Sequence, residues 1–208
     1  MKALLINGSP HQRGCTGRAL EEVAMTLEKE GIETETLWIG TKDVHGCIAC
    51  GTCRKLGKCV FNDVVNEAAV KFAEADALVV GSPVYYADLN GTLKSFLDRL
   101  FYSSSYSKHM KVGAAVVSSR RAGTLSTFDD INRFFGISGM PIAPSTYWNE
   151  VHGFTAEDVE KDLEGLQTMR NLGRNIAFMV KAISAQKEKE GLPEVEKSFK
   201  THFMDGKE

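Results

Sequence analysis

The sequence predicts a doubly wound α/β fold, in which a parallel sheet lies between two layers of helices. Short apolar runs alternate along the chain with stretches whose apolar residues recur at helical spacing. Two of the apolar runs are followed directly by Gly-Ser-Pro, a sequence that favours a turn. Strands that alternate with amphipathic helices are typical of parallel sheets joined by crossover helices.

Five strands are predicted, at residues 2–7, 33–39, 77–80, 111–118 and 140–143. The third is predicted to stop at Gly81-Ser82-Pro83. The fifth contains Pro141 and is followed by Pro144, so it suits only the edge of a sheet. The predicted order in the sheet is 2-1-3-4-5, which places a ligand site in the crevice between strands 1 and 3.

Amphipathic helices are predicted after the strands. The first carries Leu20, Val23 and Leu27 on one face and is expected to end at Gly31. A long terminal helix is predicted to open at Thr155 with a capping-box pattern, ahead of a charged tail at 191–208. The other predicted helices lie at 64–75, near 93–100 and near 125–135. Because no linker interrupts this pattern, a single domain spanning 1–208 is expected.

The composition argues against two classes of partner. The chain has 25 Lys+Arg against 27 Asp+Glu and no basic block, so no nucleic-acid partner is expected. No apolar stretch approaches the roughly 18 to 20 residues of a membrane span, and the amino-terminal run is too short for a signal peptide. A cytoplasmic protein with no membrane partner is therefore expected.

The loop after the first strand, residues 7–18, has the composition of a phosphate-binding loop. It offers hydroxyl groups, glycines and cationic side chains directly ahead of a predicted helix start, where backbone amides and the helix dipole attract anions. It matches neither the Walker A pattern nor the dinucleotide fingerprint, which favours a single terminal phosphate. The alternative is an ordinary glycine-rich turn with Thr16 as the helix N-cap.

The loop after the third strand, residues 81–92, places aromatic side chains beside that phosphate site. Tyr85 and Tyr86 follow the rigid Pro83, and a flat ring system would pack well there. The alternative is that the two tyrosines merely cover the core. The two loops together favour a mononucleotide with an aromatic ring.

These loops resemble those of the NADPH-dependent FMN reductase family, including its iron-sulfur flavoprotein branch. The similarity covers roughly the first 125 residues, on the motifs Gly8-Ser9-Pro10 with Gly14-Cys15-Thr16, Gly81 to Tyr86, and Leu93 to Arg99. It implies a flavodoxin-like, three-layer fold with FMN as cofactor and NAD(P)H as co-substrate. Cys15 departs from the pattern, because relatives commonly have asparagine there.

The resemblance also implies which residues bind FMN. The phosphate group would contact Ser9, His11, Arg13, Cys15, Thr16 and Gly17. The ring and ribityl chain would contact Pro83, Val84, Tyr85 and Tyr86. The loop after the fourth strand would add Ser119 and Gly123 at the far edge of the flavin, with a solvated turn as the alternative. The segment 147–153, which includes His152, could line a substrate pocket.

The activity implied is hydride transfer from NAD(P)H to the flavin, followed by electron release to a quinone, a flavin or a similar small acceptor. Two alternatives stay open: an FMN electron-transfer protein that docks to a redox protein and has no small-molecule substrate, and a thiol redox-sensing module. The resemblance further implies a homodimer or homotetramer.

Four of the five cysteines fall within thirteen residues, in a cysteine-rich loop at 46–60. The spacing of Cys47, Cys50, Cys53 and Cys59 resembles that of ferredoxin cluster loops and of iron-sulfur flavoproteins, which suggests a 4Fe-4S cluster. A zinc site more often uses two separated pairs of ligands. Free thiols on a loop are the remaining alternative.

Overall fold

A twisted sheet forms the centre of the computed structural model, which describes residues 1–196 and residue 199. Its five parallel strands follow the order β2-β1-β3-β5-β6, and the short strand β4 pairs antiparallel with β3. The strands are β1 (Lys2–Asn7), β2 (Glu33–Trp38), β3 (Ala77–Tyr85), β4 (Asp88–Leu89), β5 (Val112–Ser119) and β6 (Glu150–His152). The predicted order is confirmed for the first four parallel strands.

Seven helices cover the two faces of this sheet within the described residues. They are α1 (Cys15–Lys29), α2 (Cys53–Leu56), α3 (Val64–Glu74), α4 (Gly91–Ser103), α5 (Thr124–Ile137), α6 (Ala156–Val159) and α7 (Leu163–Glu190). Alternate residues of β1 point to opposite faces, as the two-residue period of a strand requires. Ala3 and Leu5 join the core under α1 and α7, whereas Leu4 and Ile6 join the core under α3, α4 and α5. The predicted three layers are therefore present.

Strand β3 is longer than predicted, because it runs through Gly81-Ser82-Pro83 to Tyr85. Its pairing with β1 ends at Gly81, whereas its pairing with β5 continues to Pro83. Beyond Gly81 the strand therefore has a parallel neighbour on one side only, a setting that tolerates a residue without an N–H group.

The prediction of a fifth strand at 140–143 is wrong. This segment forms one isolated bridge, between Gly113 and Ile142, and the fifth parallel strand is β6. Pro141 and Pro144 remove two of the amide donors that a ladder needs, so the pairing cannot extend.

The predicted terminal helix is two helices. The capping box of Thr155 and Asp158 is present, but the helix it starts, α6, is only four residues long. Asp162 then caps α7 by accepting a hydrogen bond from the Gly165 amide at 2.9 Å. Gly31 has the predicted left-handed conformation, with φ of 79°. The tail at 191–208 lies largely outside the described residues, and no described helix has the length and apolarity to span a bilayer.

Strand β2 lies at one edge of the sheet, where its glutamates and threonines are partly exposed. Glu35 accepts a hydrogen bond from the Lys2 ammonium at 2.7 Å and pairs with Lys71 of α3. These ion pairs tie the edge strand to β1 and to the adjacent helix.

The packing of α5 on the sheet requires a glycine in β5. A Cβ atom at Gly113 would lie 2.5 Å from the Phe135 ring. We expect Gly113→Ala to lower the free energy of unfolding by about 1–3 kcal/mol, because an overpacked core must move backbone or ring atoms. Gly136, on the exposed side of α5, has nothing within 4 Å of the added methyl group. Gly136→Ala should therefore leave stability unchanged or raise it by about 0.5–1 kcal/mol. Urea denaturation of both variants checks this, and equal effects would contradict the packing argument.

A buried carboxylate joins α1, which follows the first loop, to α7. Glu22 accepts hydrogen bonds from Arg18 and from Arg170, each at 2.7 Å. Burial alone would raise the pKa of Glu22, but the hydrogen bonds from the two arginines outweigh it and hold this pKa below its ordinary value of 4.5.

We expect Glu22→Gln to lower the free energy of unfolding by about 1–3 kcal/mol at pH 7. Since the folded-state pKa lies below the unfolded one, the ionised carboxylate stabilises the fold above about pH 4.5, and this contribution falls away as the pH drops through the folded-state value. The difference between variant and parent should therefore shrink in acid. Glu21→Gln is the control, because Glu21 is largely exposed and 4.0 Å from Arg18. Denaturation curves at pH 7 and pH 4 that showed a constant difference would rule out this linkage.

Candidate functional site

The loop after β1 is held by its own hydrogen bonds. The Asn7 side chain accepts from the Ser9 amide and donates to the Gln12 carbonyl, both at 3.0 Å. The Ser9 hydroxyl accepts from the His11 amide at 3.2 Å. Trp38 of β2 donates to the Ser9 carbonyl at 2.8 Å. The loop is therefore shaped without help from a ligand.

The start of α1 has backbone amide groups that make no helical hydrogen bond. Its N-cap is Gly14, which has no side chain to cap the helix, and its first turn has no acidic residue. The first helical hydrogen bond runs from the Arg18 amide to the Gly14 carbonyl, so the amides of Cys15, Thr16 and Gly17 precede it. Unpaired amides at the positive end of a helix favour an anion.

Thr16 lies in the first turn of α1 and is not its N-cap. Its hydroxyl lies 2.7 Å from the Ser118 hydroxyl at the end of β5, and both side chains are buried. This contact joins the first loop to the fourth parallel strand of the sheet, so the loops after β1 and β5 meet at one place.

The loops after β1, β3, β5 and β6 enclose a cavity of about 670 Å³ at the carboxyl edge of the sheet. Nine of the twelve residues predicted to bind the cofactor line it: Ser9, His11, Arg13, Cys15, Thr16, Pro83, Val84, Tyr85 and Ser119. Ser119 presents a buried hydroxyl that has no hydrogen-bond partner among the described residues. A buried hydroxyl without a partner favours a ligand that can hydrogen-bond to it, because leaving it unpaired is unfavourable.

Three of the predicted residues lie behind or beyond the cavity. A Cβ atom at Gly17 would collide with the Gln12 carbonyl, so this glycine permits the tight path of the loop. Gly123, with φ of 89°, packs against Val84 and Ala87 and supports the β3–β4 hairpin. Tyr86 is fully exposed at the tip of that hairpin.

The hairpin tip is strained. Tyr86 and Ala87 both have positive φ, at 50° and 61°, which is the geometry of a type I′ turn that glycine or asparagine usually occupies. Conformations of this kind often occur where a ligand or partner contacts the backbone. The exposed Tyr86 ring is therefore positioned by the backbone and not by contacts with the core.

The loops named in the sequence also bring Gln12, Gly14, Ser118 and Arg120 to the cavity wall, and Gly153 comes from the segment predicted to line a substrate pocket. The sequence reasoning missed the next four residues of the wall, which are Phe154, Thr155, Ala156 and Glu157. The Cys15 thiol donates to the Gly153 carbonyl at 3.4 Å, and burial raises the pKa of this thiol. The capping-box pattern at Thr155 correctly predicted a helix start. Because the fifth strand was predicted at 140–143 and not at 150–152, the prediction did not place this helix start at the carboxyl edge of the sheet. His152, one residue before Gly153, is outside the cavity.

The four clustered cysteines share a second, much smaller cavity of about 20 Å³ between α2 and α4. Cys47, Cys50, Cys53 and Cys59 all line it, so the donor set matches that of a cysteine-ligated cluster. The segment turns sharply at Ala49, Gly51 and Gly57, all of which have positive φ. Within the described residues the thiols surround this space without converging as a group of three or more metal ligands.

A model of the family described as NADPH-dependent FMN reductase matches residues 1–155. An iron-sulfur flavoprotein of Methanocaldococcus jannaschii is 36% identical over 191 residues, which cover 88% of this chain and 99% of that protein. The structure of RosB with a bound riboflavin 5′-phosphate derivative superposes with a TM-score of 0.72 at 16% identity, covering 99% of this chain and 93% of that one.

A flavodoxin from the domain Archaea superposes with a TM-score of 0.58 at 21% identity, over 87% of this chain and 99% of that chain. This similarity confirms the flavodoxin-like fold. Taken together, the family match over three quarters of the sequence and the identity to a curated relative over nearly its whole length show that the chain belongs to the NADPH-dependent FMN reductase family, among its iron-sulfur flavoproteins.

Proposed function

We propose that the protein is an FMN-dependent NAD(P)H oxidoreductase that passes electrons from a nicotinamide to a quinone, a flavin or a similar small acceptor. The observation that carries the proposal is the uncapped start of α1, which opens into the large cavity. A dianionic phosphate group satisfies amides that the protein itself leaves unpaired. The family to which the chain belongs supports the flavin and the nicotinamide.

In this proposal the first loop would hold the FMN phosphate. The groups that would donate hydrogen bonds to it are the amides of Cys15, Thr16 and Gly17 and the hydroxyls of Ser9 and Thr16. Arg13 and His11 line the same end of the cavity and contribute positive or titratable groups. Cys15 keeps its thiol protonated through burial, so it adds no charge that would repel the phosphate.

The hairpin side of the cavity would hold the flavin ring. Pro83, Val84 and Tyr85 would provide its apolar wall, and the Ser119 hydroxyl would be a partner for a polar edge of the ring. Gly123 acts indirectly by fixing the hairpin. Tyr86, which is fully exposed, would be free to contact the ring or a neighbouring subunit of a homodimer or homotetramer.

Bound FMN would supply the hydride-accepting chemistry, and the protein's task is to orient it and to set its electrostatic surroundings. Arg13 and Arg120 line the cavity and favour negative charge there. Glu157, which also lines the cavity, has a pKa held low by backbone hydrogen bonding and by Thr155, so it carries negative charge at neutral pH.

A second candidate function is electron transfer through a 4Fe-4S cluster in addition to FMN. Cys47, Cys50, Cys53 and Cys59 would hold the cluster, and their common cavity supports this assignment. The names of the curated relatives favour it. A cluster would supply one-electron steps, whereas nicotinamide chemistry supplies hydride.

Enzyme activity and electron transfer are separated by one set of measurements on protein purified without oxygen. We expect discrete yellow flavin absorption, a brown shoulder if the cluster is present, and repeated turnover when NADPH and benzoquinone are mixed with catalytic amounts of protein. Iron and acid-labile sulfide assays quantify the cluster. If the bound flavin were reduced only by a protein donor and never by NADPH or NADH, the oxidoreductase proposal would fail.

A negative charge introduced at position 16 tests whether the FMN phosphate binds at the first loop. We expect Thr16→Asp to weaken FMN binding about 1,000-fold more than Thr16→Asn, because unit charges 4 Å apart repel by roughly 4 kcal/mol at an effective dielectric of 20. The two variants match in size and both lose the Ser118 contact, so the comparison isolates charge. Quenching of FMN fluorescence on titration with apoprotein gives both dissociation constants. Equal constants would place the phosphate elsewhere.

A further inference from the structure

Arg99 of α4 has one of the most deeply buried charged side chains in the described chain, with 1% of it exposed. It lies beside the cysteine cavity and forms part of its wall. A buried guanidinium is unfavourable unless its charge is balanced and its five N–H groups are bonded. Both conditions are met.

Each N–H group of Arg99 has an acceptor. Two bonds go to the Asp63 carboxylate, at 2.6 and 3.0 Å, and two go to the backbone carbonyls of His45 and Phe61, at 3.1 and 3.3 Å. The fifth runs from Nε to the sulfur of Cys59, at 3.2 Å. The guanidinium also lies over the Phe61 ring, 5.0 Å from its centroid, and this ring stacks on His45.

These partners lie on both sides of the cysteine-rich loop. His45 precedes Cys47, and Phe61 follows Cys59, so one side chain of α4 joins the two ends of the loop. Asp63 is also the N-cap of α3, where it accepts from the Val65 amide at 3.0 Å. Asp63 therefore holds Arg99 in place, and Arg99 contacts the sulfur of Cys59, whose backbone is held by the Asn66 side chain.

We propose that Arg99 is a positioning residue that sets the reduction potential of the metal cluster through its charge-assisted hydrogen bond to the Cys59 sulfur. The inference rests on the proposed function, because it requires the four cysteines to hold a 4Fe-4S cluster. One-electron reduction makes the cluster more negative, and a hydrogen bond from a cation stabilises a negatively charged sulfur more as its charge increases. Arg99 therefore favours the reduced cluster, and Asp63 moderates this effect by offsetting part of the positive charge.

Two substitutions are expected to shift the potential in opposite directions. Arg99→Gln removes the cation and should lower the ratio of reduced to oxidised cluster at a fixed potential about tenfold, which is about 59 mV for a one-electron couple. Asp63→Asn removes the balancing charge and should raise that ratio. Asparagine is also a good N-cap, so α3 keeps its start. Arg133→Gln is the matched control, because Arg133 on α5 is largely exposed and outside the cysteine cavity.

The experiment uses the full chain, reconstituted with ferrous iron and sulfide without oxygen. Iron and sulfide contents are measured first, and the cluster is then titrated with dithionite and mediators while its electron paramagnetic resonance signal is followed. Opposite shifts in Arg99→Gln and Asp63→Asn, with no shift in Arg133→Gln, support the inference. Potentials that equal the parent's, or that move in the same direction in both variants, overturn it and leave the cluster assignment intact.

Two further results have defined meanings. If the parent chain takes up no iron and sulfide, the cluster assignment fails and the role of Arg99 fails with it. If Arg99→Gln does not fold or does not retain its cluster, Asp63→Asn decides: a raised potential supports the role of Arg99, and an unchanged or lowered potential overturns it.

Discussion

The structure depends on the close approach of β1 and β3 where their pairing ends. The Gly8 amide donates to the Gly81 carbonyl at 3.0 Å, and the Asn90 side chain closes the same corner by donating to the Gly8 carbonyl at 2.7 Å. A Cβ atom at Gly8 would lie 2.7 Å from Leu93, and one at Gly81 would lie 2.7 Å from Leu20. Larger residues at either position would push α1 or α4 away from the sheet. The two glycines thus allow the crevice to form and let the start of α1 open into it.

The two candidate sites on this fold differ in whether their hydrogen-bond donors are already paired within the protein. At the large cavity the protein offers backbone amides and hydroxyls that it does not use itself, notably at the start of α1 and at Ser119. At the cysteine cavity it presents a guanidinium whose N–H groups are all engaged, one of them with sulfur. The first arrangement suits a ligand that brings its own negative charge. The second suits a group held through thiolates, because the cation and its carboxylate are already in place around one of the four sulfurs.

The sequence pattern was sufficient for four of the five parallel strands, because each of them is a local run whose alternation or apolarity is visible without tertiary contacts. The fifth strand was misplaced because β6 is three residues long and contributes a single buried residue, Val151, whereas the proline-containing run at 140–143 is more apolar. The loop motifs led to most of the cavity wall. They could not lead to residues 154–157, which join the site only through the path of the chain in space. The partners of Arg99 lie 36 to 54 residues away in sequence, so the pattern of α4 alone carries no sign of them.

The charged edge at β2 has a consequence for how copies of this chain can associate. An open sheet exposes a row of backbone donors and acceptors, and a second copy could extend the ladder across that row. Along β2, glutamate alternates with threonine, and the Glu35 carboxylate is already engaged by Lys2 and Lys71. Aligning a like-charged strand there would place carboxylates side by side, which is unfavourable. Subunits that pair through helical surfaces avoid this repulsion.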